Sequence, residues 1–455
     1  MSIATPRTKT EQALLEQFEA VAGKLPGDAA IAAARKAAIG RFAGLGLPHR
    51  RIEAWKYTDL RNLVQEAFAP ALPRPAKIGA RELDAALGPS LAALDGIRIV
   101  FIDGALALGL CRFDGERGKT YNFDPLAKGL AGEVPDWLAA RFAGATGARA
   151  SATLALNAAF ATDGALLRVE AGARLDHPIH LVFAASGAAP ESVTTRNFIL
   201  IGEEARAVIL ESHIGLGAAA SQINTATEIA VRDGARVSHV KVAGGGANTT
   251  HLGAWIAELG EEACYRAFQF TAGTRLVRND ISVAFAGEGA ALDLSGAFLA
   301  RGSEHIDTTL VVDHAVPHCT SRELFKGVLD DRARGVFQGK IIVRPDAQKS
   351  DGKQMAQVLM LSPGAEFDSK PELEIFADDV ACGHGSTAAE LDAELLFYCQ
   401  SRGIPLAEAR ALLTLSFVGE AIEKVEHEGV REALMEAARA WLVSKDLSGA
   451  LGRSP

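Results

Sequence analysis

A short turn element recurs seven times through the middle of the sequence, each time ending in alanine: Gly172-Ala173, Glu204-Ala205, Gly234-Ala235, Glu262-Ala263, Gly289-Ala290, Arg332-Ala333 and Gly364-Ala365. Five of the six intervals between successive alanines lie between 27 and 32 residues, while that from Ala290 to Ala333 is 43. The runs at 197–201, 208–210, 236–242 and 339–343 are short and rich in β-branched residues, as strands are. Helical periodicity is almost absent between residues 154 and 376. A coil of short strands cannot bury its inner face until the next coil stacks on it, so this repeat predicts a β-solenoid. A β-sandwich would use similar strands and turns but show no fixed period. Alanine suits the repeated corner because only a small side chain packs where the coil bends inward. The 43-residue interval predicts an inserted turn or one lacking the alanine mark.

Helical patterns flank the repeat. Leu14, Leu15, Phe18 and Val21, then Ile31, Ala34, Ala38 and Phe42 beyond Pro26-Gly27, predict a helical hairpin. Residues 70–88, rich in Pro, Ala and Gly, read as a connector, and the run at 97–102 is the first strand. Past Gly385, Thr387 with Glu390 three residues later predicts a capping box. The helix it opens carries Leu391, Leu395, Leu396, Tyr398 and Cys399 and stops at Gly403-Ile404-Pro405. Pro405 starts a second helix, and a third is expected over 430–443. The organisation is therefore a helical region over 1–95, a β-helix over 96–384 and a helical module over 385–455 that could close the stack or offer a docking face.

Composition narrows the function. A chain of 455 residues with 48% hydrophobic and 23% charged residues should fold throughout its central part. A net charge of −9 provides no basic face for a phosphate backbone, so nucleic acid is not an expected partner. Residues 1–17 lack the apolar run of a signal peptide, and no stretch reaches the roughly 18 apolar residues of a membrane span, so a cytoplasmic protein is expected. Five scattered cysteines (Cys111, Cys264, Cys319, Cys382 and Cys399) read as thiols rather than as a disulfide framework. There is no Gly-x-Ser-x-Gly elbow, and Gly244-Gly245-Gly246 lacks the lysine of a phosphate-binding loop. A β-helix enzyme acting on polysaccharides is a further possibility, weakened by the missing secretion signal and by only four Trp and four Tyr to line a sugar cleft.

Two constellations could carry metal chemistry. In Asp378-Asp379-Val380-Ala381-Cys382-Gly383-His384-Gly385, a thiol and an imidazole two residues apart on a glycine-flanked loop could reach iron, zinc or copper. Two ligands are too few for a closed site, so either distant loops or another chain must complete it, or the segment is a turn with a buried Cys and a hydrogen-bonded His. In His314-Ala315-Val316-Pro317-His318-Cys319, Pro317 argues against a helix that would bring the two histidines onto one face.

The segment Ser321-Arg322-Glu323-Leu324-Phe325-Lys326-Gly327-Val328, with Gly335-Val336-Phe337-Gln338-Gly339-Lys340, Ala347-Gln348-Lys349-Ser350-Asp351 and Ser369-Lys370-Pro371-Glu372-Leu373-Glu374-Ile375, resembles the SufB/SufD family of iron–sulfur cluster assembly scaffolds. Asp378-Asp379-Val380 with Cys382 and His384, then Leu396-Phe397-Tyr398 and Ser401-Arg402-Gly403-Ile404-Pro405, is similar to the SufD branch of that family, and Arg51-Ile52-Glu53-Ala54-Trp55-Lys56-Tyr57-Thr58 to its N-terminal motif. The resemblance is strongest over 320–425. It implies a right-handed parallel β-helix between helical regions, serving as a non-catalytic scaffold subunit. It also implies a SufB-like paralogue bound through the β-helix and a SufC-type ABC ATPase bound through the C-terminal helices. A homodimer in the paralogue's absence is a further possibility. No permanent cofactor is implied; a transient Fe–S cluster would form at a subunit interface, with His384 and Cys382 as ligands. A stand-alone sulfur acceptor or metal-storage protein is the alternative.

Overall fold

From residue 165 onward the chain steps back and forth between two sheets, and each strand pairs in parallel with the strand two steps away in sequence. The computed structural model describes residues 6–75, 77–132, 134–142 and 151–451; residues 1–5 and 452–455, the outermost parts of the first and last expected regions, lie outside them. The first sheet stacks Ala165–Val169, Glu191–Ile201, Ser221–Val231, Gly246–Leu259, Thr274–Phe285, His305–His314, Arg334–Val343 and Glu366–Ile375. The second stacks Ile97–Ile102, Ile179–Ala185, Arg206–Gly215, Arg236–Gly244, Cys264–Ala272, Ala291–Ala300, Thr320–Leu329, Asp351–Met360 and Ala381–Ala389. This is the expected parallel β-helix, flanked at both ends of the chain by helices.

The corner repeat has a backbone cause. Gly172, Glu204, Gly234, Glu262, Gly289, His318 and Lys349 all have left-handed backbone, with φ from 52° to 69°. Each donates its N–H to a carbonyl of the next coil, as in Glu204 to Asp233 (2.9 Å), Gly234 to Glu261 (2.8 Å) and His318 to Gln348 (3.0 Å). Glycine enters this conformation without steric cost, which explains its frequency in the turn. The following residue closes the corner inward: Ala205, Ala235, Ala263 and Ala290 are at most 1% exposed. The long interval is an unmarked turn, with Cys319, 0% exposed, in the alanine position 29 residues after Ala290. Ala333 and Ala365 sit on a different corner, where they lead into Arg334–Val343 and Glu366–Ile375 of the first sheet.

The N-terminal hairpin forms as Lys9–Val21 and Ala29–Leu45, each started by a side-chain cap, Thr8 and Asp28. A further helix, Ala152–Phe160, falls inside the region expected to lack helix. It is buried on every side, so beyond Thr153 and Asn157 its sequence carries no polar residues to reveal a period. With the hairpin it covers the outer face of the first sheet through Phe18, Phe42, Ala155, Ala159, Phe160 and Leu276. The 51–58 motif is a strap over the same face. Trp55 is buried beneath the Arg278 guanidinium, 4.2 Å from the ring centre. Arg278 also binds Asp307 (2.5 Å) and Asp280 (2.8 Å), while Thr58 bonds to His305 (2.9 Å) and to Asp307.

The C-terminal helices are Ala393–Ser401, Leu406–Ile422 and Glu428–Leu451. Asp392, rather than Thr387, caps the first, accepting from the N–H groups of Glu394 and Leu395. Thr387 belongs to Ala381–Ala389, so the last solenoid strand runs beyond residue 384 and the expected capping box does not form. The second and third helices seat Val418, Ile422, Val430 and Leu434 on Val240, Phe268, Phe270, Leu299 and Val328 of the second sheet's outer face. Buried Lys326 reaches out of that sheet to Glu420 and lies 4.4 Å from the centre of the Phe417 ring.

Candidate functional site

Cys382 and His384 lie in a strand, not in the expected loop. Ala381–Ala389 is the last strand of the second sheet, and among the described residues its outer edge has no partner strand. Cys382 registers with Gly352, and His384 with Gln354. A Cβ added to Gly352 would meet Ile341 and the Ser321 hydroxyl at 3.3 Å, so that row points into the solenoid. Gly383 and Gly385 lie above Lys353 and Met355, on the outward row. Strand alternation therefore aims Cys382, His384 and Ser386 together into the mouth of the last coil, with Cα atoms of successive members about 6.7 Å apart.

Burial at the mouth is graded. The half-buried Cys382 packs against the cluster of Ile341, Val343, Ala347 and Ala377, whereas His384 is exposed. Ser386 donates to the Ser369 hydroxyl across the opening at 2.7 Å. Opposite lies Glu366–Ile375, the last strand of the first sheet; no residue of either terminal strand is buried. Among the described residues no group of three or more His, Cys, Asp or Glu side chains is arranged to hold a metal ion. A thiolate and an imidazole are competent donors for a borderline metal, but the pair needs donors from outside these residues to complete a tetrahedral set.

The second constellation is structural. His314 is buried, contacts the Ser321 hydroxyl at 3.0 Å and packs 4.5 Å from the Phe285 ring; burial pushes its imidazole down to about 4. His318 and Cys319 form the corner described above, and burial raises the Cys319 thiol. Cys111 is likewise raised by burial, and its sulfur takes part in contacts with the Val100 N–H and the Ala107 carbonyl.

Two sets of lumen residues escaped the sequence reading. Deep inside, Glu211 accepts from His239 (2.9 Å), Thr227 (3.0 Å) and His213 (3.3 Å), with Lys241 at 3.8 Å. Burial alone would raise this carboxyl, but Lys241 and the two imidazoles outweigh it and hold Glu211 well below the usual range. Nearer the mouth, Glu323 and Gln354 register with each other directly beneath His384. Two-residue alternation in Ser321-Arg322-Glu323-Leu324-Phe325 was the available signal, because it places Ser321, Glu323 and Phe325 on one face.

The family model "SUF system FeS cluster assembly, SufBD core domain" matches residues 183–417, and "SufBD protein N-terminal region" matches residues 8–82. The chain is 30% identical to the iron-sulfur cluster assembly protein SufD of Escherichia coli (strain K12), over 86% of this chain and 88% of that protein. It is 29% identical to the iron-sulfur cluster assembly SufBD family protein slr0076 of Synechocystis, over 86% of each. Protein ABCI7, chloroplastic, of Arabidopsis thaliana is 28% identical over 61% of this chain and 60% of that protein.

Proposed function

Because the chain belongs to the SufBD family of iron–sulfur cluster assembly proteins, we propose that its last coil is one half of a cluster-assembly site whose other half is supplied by a SufB-like paralogue. The observation that carries this reading is the placement of Cys382 and His384 side by side on the inner row of an unpaired edge strand. Exposed strand edges recruit further strands, and main-chain bonding there would bring a partner's ligands to the mouth. Ile375, Phe376 and Met355 add exposed apolar surface around the same end, at 41%, 59% and 37% exposure.

The chain acts in this scheme as a scaffold, and the nascent cluster is cargo held jointly by His384, Cys382 and the partner. ATP turnover belongs to a SufC-type ATPase docked on the C-terminal helices. Support comes from the division of labour on those helices: one face is seated on the second sheet, while Leu395, Phe397, Tyr398, Leu406 and Leu412 are exposed. Phe397 is 72% exposed, which suits an anchor awaiting a pocket.

The test is reconstitution of complexes with both partners at equal subunit stoichiometry. His384→Ala should lower iron and sulfide loading severalfold, with Cys382→Ala having a comparable or smaller effect, and neither should shift the melting temperature. Wild-type loading in the His384→Ala complex would remove the ligand role. Phe397→Asp should release the ATPase alone, and undiminished co-purification would place the dock elsewhere.

A further inference from the structure

Below the mouth, the second sheet carries a column of inward polar side chains on adjacent coils: Glu323, then Gln354, then His384. Glu323 and Gln354 are each 3% exposed, and among the described residues neither Glu323 carboxyl oxygen nor the Gln354 side-chain oxygen has a partner in full hydrogen-bond geometry. The Ser321 hydroxyl approaches the Glu323 carboxyl and contacts His314 at 3.0 Å. Gln354 turns its nitrogen to the Gly339 carbonyl at 3.3 Å and leaves its oxygen in the lumen. Its seat is hollowed for it, since a Cβ at Gly339 would lie 2.2 Å from that oxygen. The proton that the Glu323 carboxyl carries can serve at most one acceptor, so buried oxygen on these neighbouring coils still lacks a donor, a cost that a bound guest would relieve.

We propose that Glu323 and Gln354 form an oxygen-lined cation site inside the Cys382/His384 pair, where a ferrous ion is held before cluster assembly. Adjacent coils stand about 4.8 Å apart, so an ion between the two side chains can meet oxygens of both at ordinary metal–oxygen distances. A carboxylate and an amide oxygen are donors that a ferrous ion accepts, and His384 one coil higher supplies the nitrogen step on the way in. When the site is empty, burial pushes the Glu323 carboxyl up to about 8, so it carries a proton at neutral pH. Binding exchanges that proton for the cation: the carboxyl O–H breaks, a metal–oxygen contact forms, and the proton leaves to solvent. The titratable group facing Glu323 within the lumen is His314, through Ser321; Asp293, Arg322, Asp351 and Lys353 lie on the outward rows. The choice of ferrous ion rests on the assembly reading above, but the site's existence does not.

The experiment is anaerobic calorimetric titration of the full chain with ferrous ion, run in two buffers of different ionisation heat to count protons. Wild type should show a site that releases about one proton per ion at pH 7. Glu323→Gln, which copies the neutral empty state in shape and charge, should keep or raise the melting temperature at pH 7, weaken that site by about 10- to 100-fold and abolish the proton release. Gln354→Leu should weaken it while preserving the proton count. The double variant Cys382→Ala/His384→Ala should retain the Glu323-dependent site, which separates this proposal from the role assigned to the mouth. Unchanged affinity and proton count in Glu323→Gln, or no ferrous binding by wild type, would overturn the proposal and leave the orphan oxygens to water.

Discussion

The two ends of the solenoid are finished differently. At the first end, short antiparallel strands lie across both sheets: Tyr121–Pro125 against Ala165–Val169, and Ala105–Leu106 against Ile97–Ile102. A single buried carboxylate ties these caps together, as Asp163 accepts from the N–H groups of Leu106 (3.2 Å) and Ala127 (2.9 Å). Phe101 stacks on Phe183 there, with ring centres 5.1 Å apart. Among the described residues the last end has no such closure; its terminal strands keep free edges and contain no buried residue. The chain thus caps one end and leaves its unpaired strand edges at the other, around a thiol and an imidazole.

The contrast predicts unequal costs for equal chemical insults. Phe101→Ala, which deletes a ring 1% exposed, should cost about 3–5 kcal/mol in urea unfolding of the isolated chain. A loss below about 1 kcal/mol would mean that the capped end is not the firmly packed one.

The pH response should distinguish buried groups of opposite sign. Burial holds His180 down to about 3, and His305 and His314 down to about 4, so each stays neutral in the fold while the unfolded chain takes a proton below about 6.5. Their contribution to stability is full above about 6.5 and is lost as pH falls toward 4. Glu323, near the open end, runs the other way. Its raised carboxyl favours the fold below its ordinary value near 4.5, and this advantage is lost as pH rises through about 8. Stability curves from pH 5 to 9 should therefore separate wild type from Glu323→Gln by a few kcal/mol at the alkaline side, and parallel curves would refute the buried neutral carboxyl.

The smallest effect on stability belongs to the open end. Ile375→Lys alters a residue 41% exposed and should change the isolated chain by no more than about 0.5 kcal/mol. It should nevertheless abolish capture of the paralogue. Equal capture by this variant would move the partner surface away from the mouth.

Much of the architecture was legible because the solenoid repeats its corners. The left-handed residue and the small one after it recur every coil, so Ala205, Ala235, Ala263 and Ala290 announce the period by themselves. What sequence concealed follows from burial and register. Cys319 does an alanine's work without its name, and Ala152–Phe160 has only Thr153 and Asn157 as polar residues from which a helix could be read. Thr387 and Glu390 match a capping box locally, but pairing of Thr387 with Gln357 keeps that stretch extended. Cys382 and His384 were identifiable as candidates. Their common inward row, and Glu323 beneath them, depend on which coil lies on which, and that is fixed only by strands some 30 residues apart.

The aligned corners also determine how the protein would respond to force. Bonds from Gly172 through Lys349 link one coil to the next along the solenoid axis, each coil touching chiefly its neighbours. A pull applied at the unsealed end would load one corner at a time, detaching coils in sequence and releasing about 100 Å of chain with each 30 or so residues freed. Docking a partner on that end would shield the first link in the series, so assembly would act as a mechanical clamp, raising the force at which unzipping begins without altering any coil behind it.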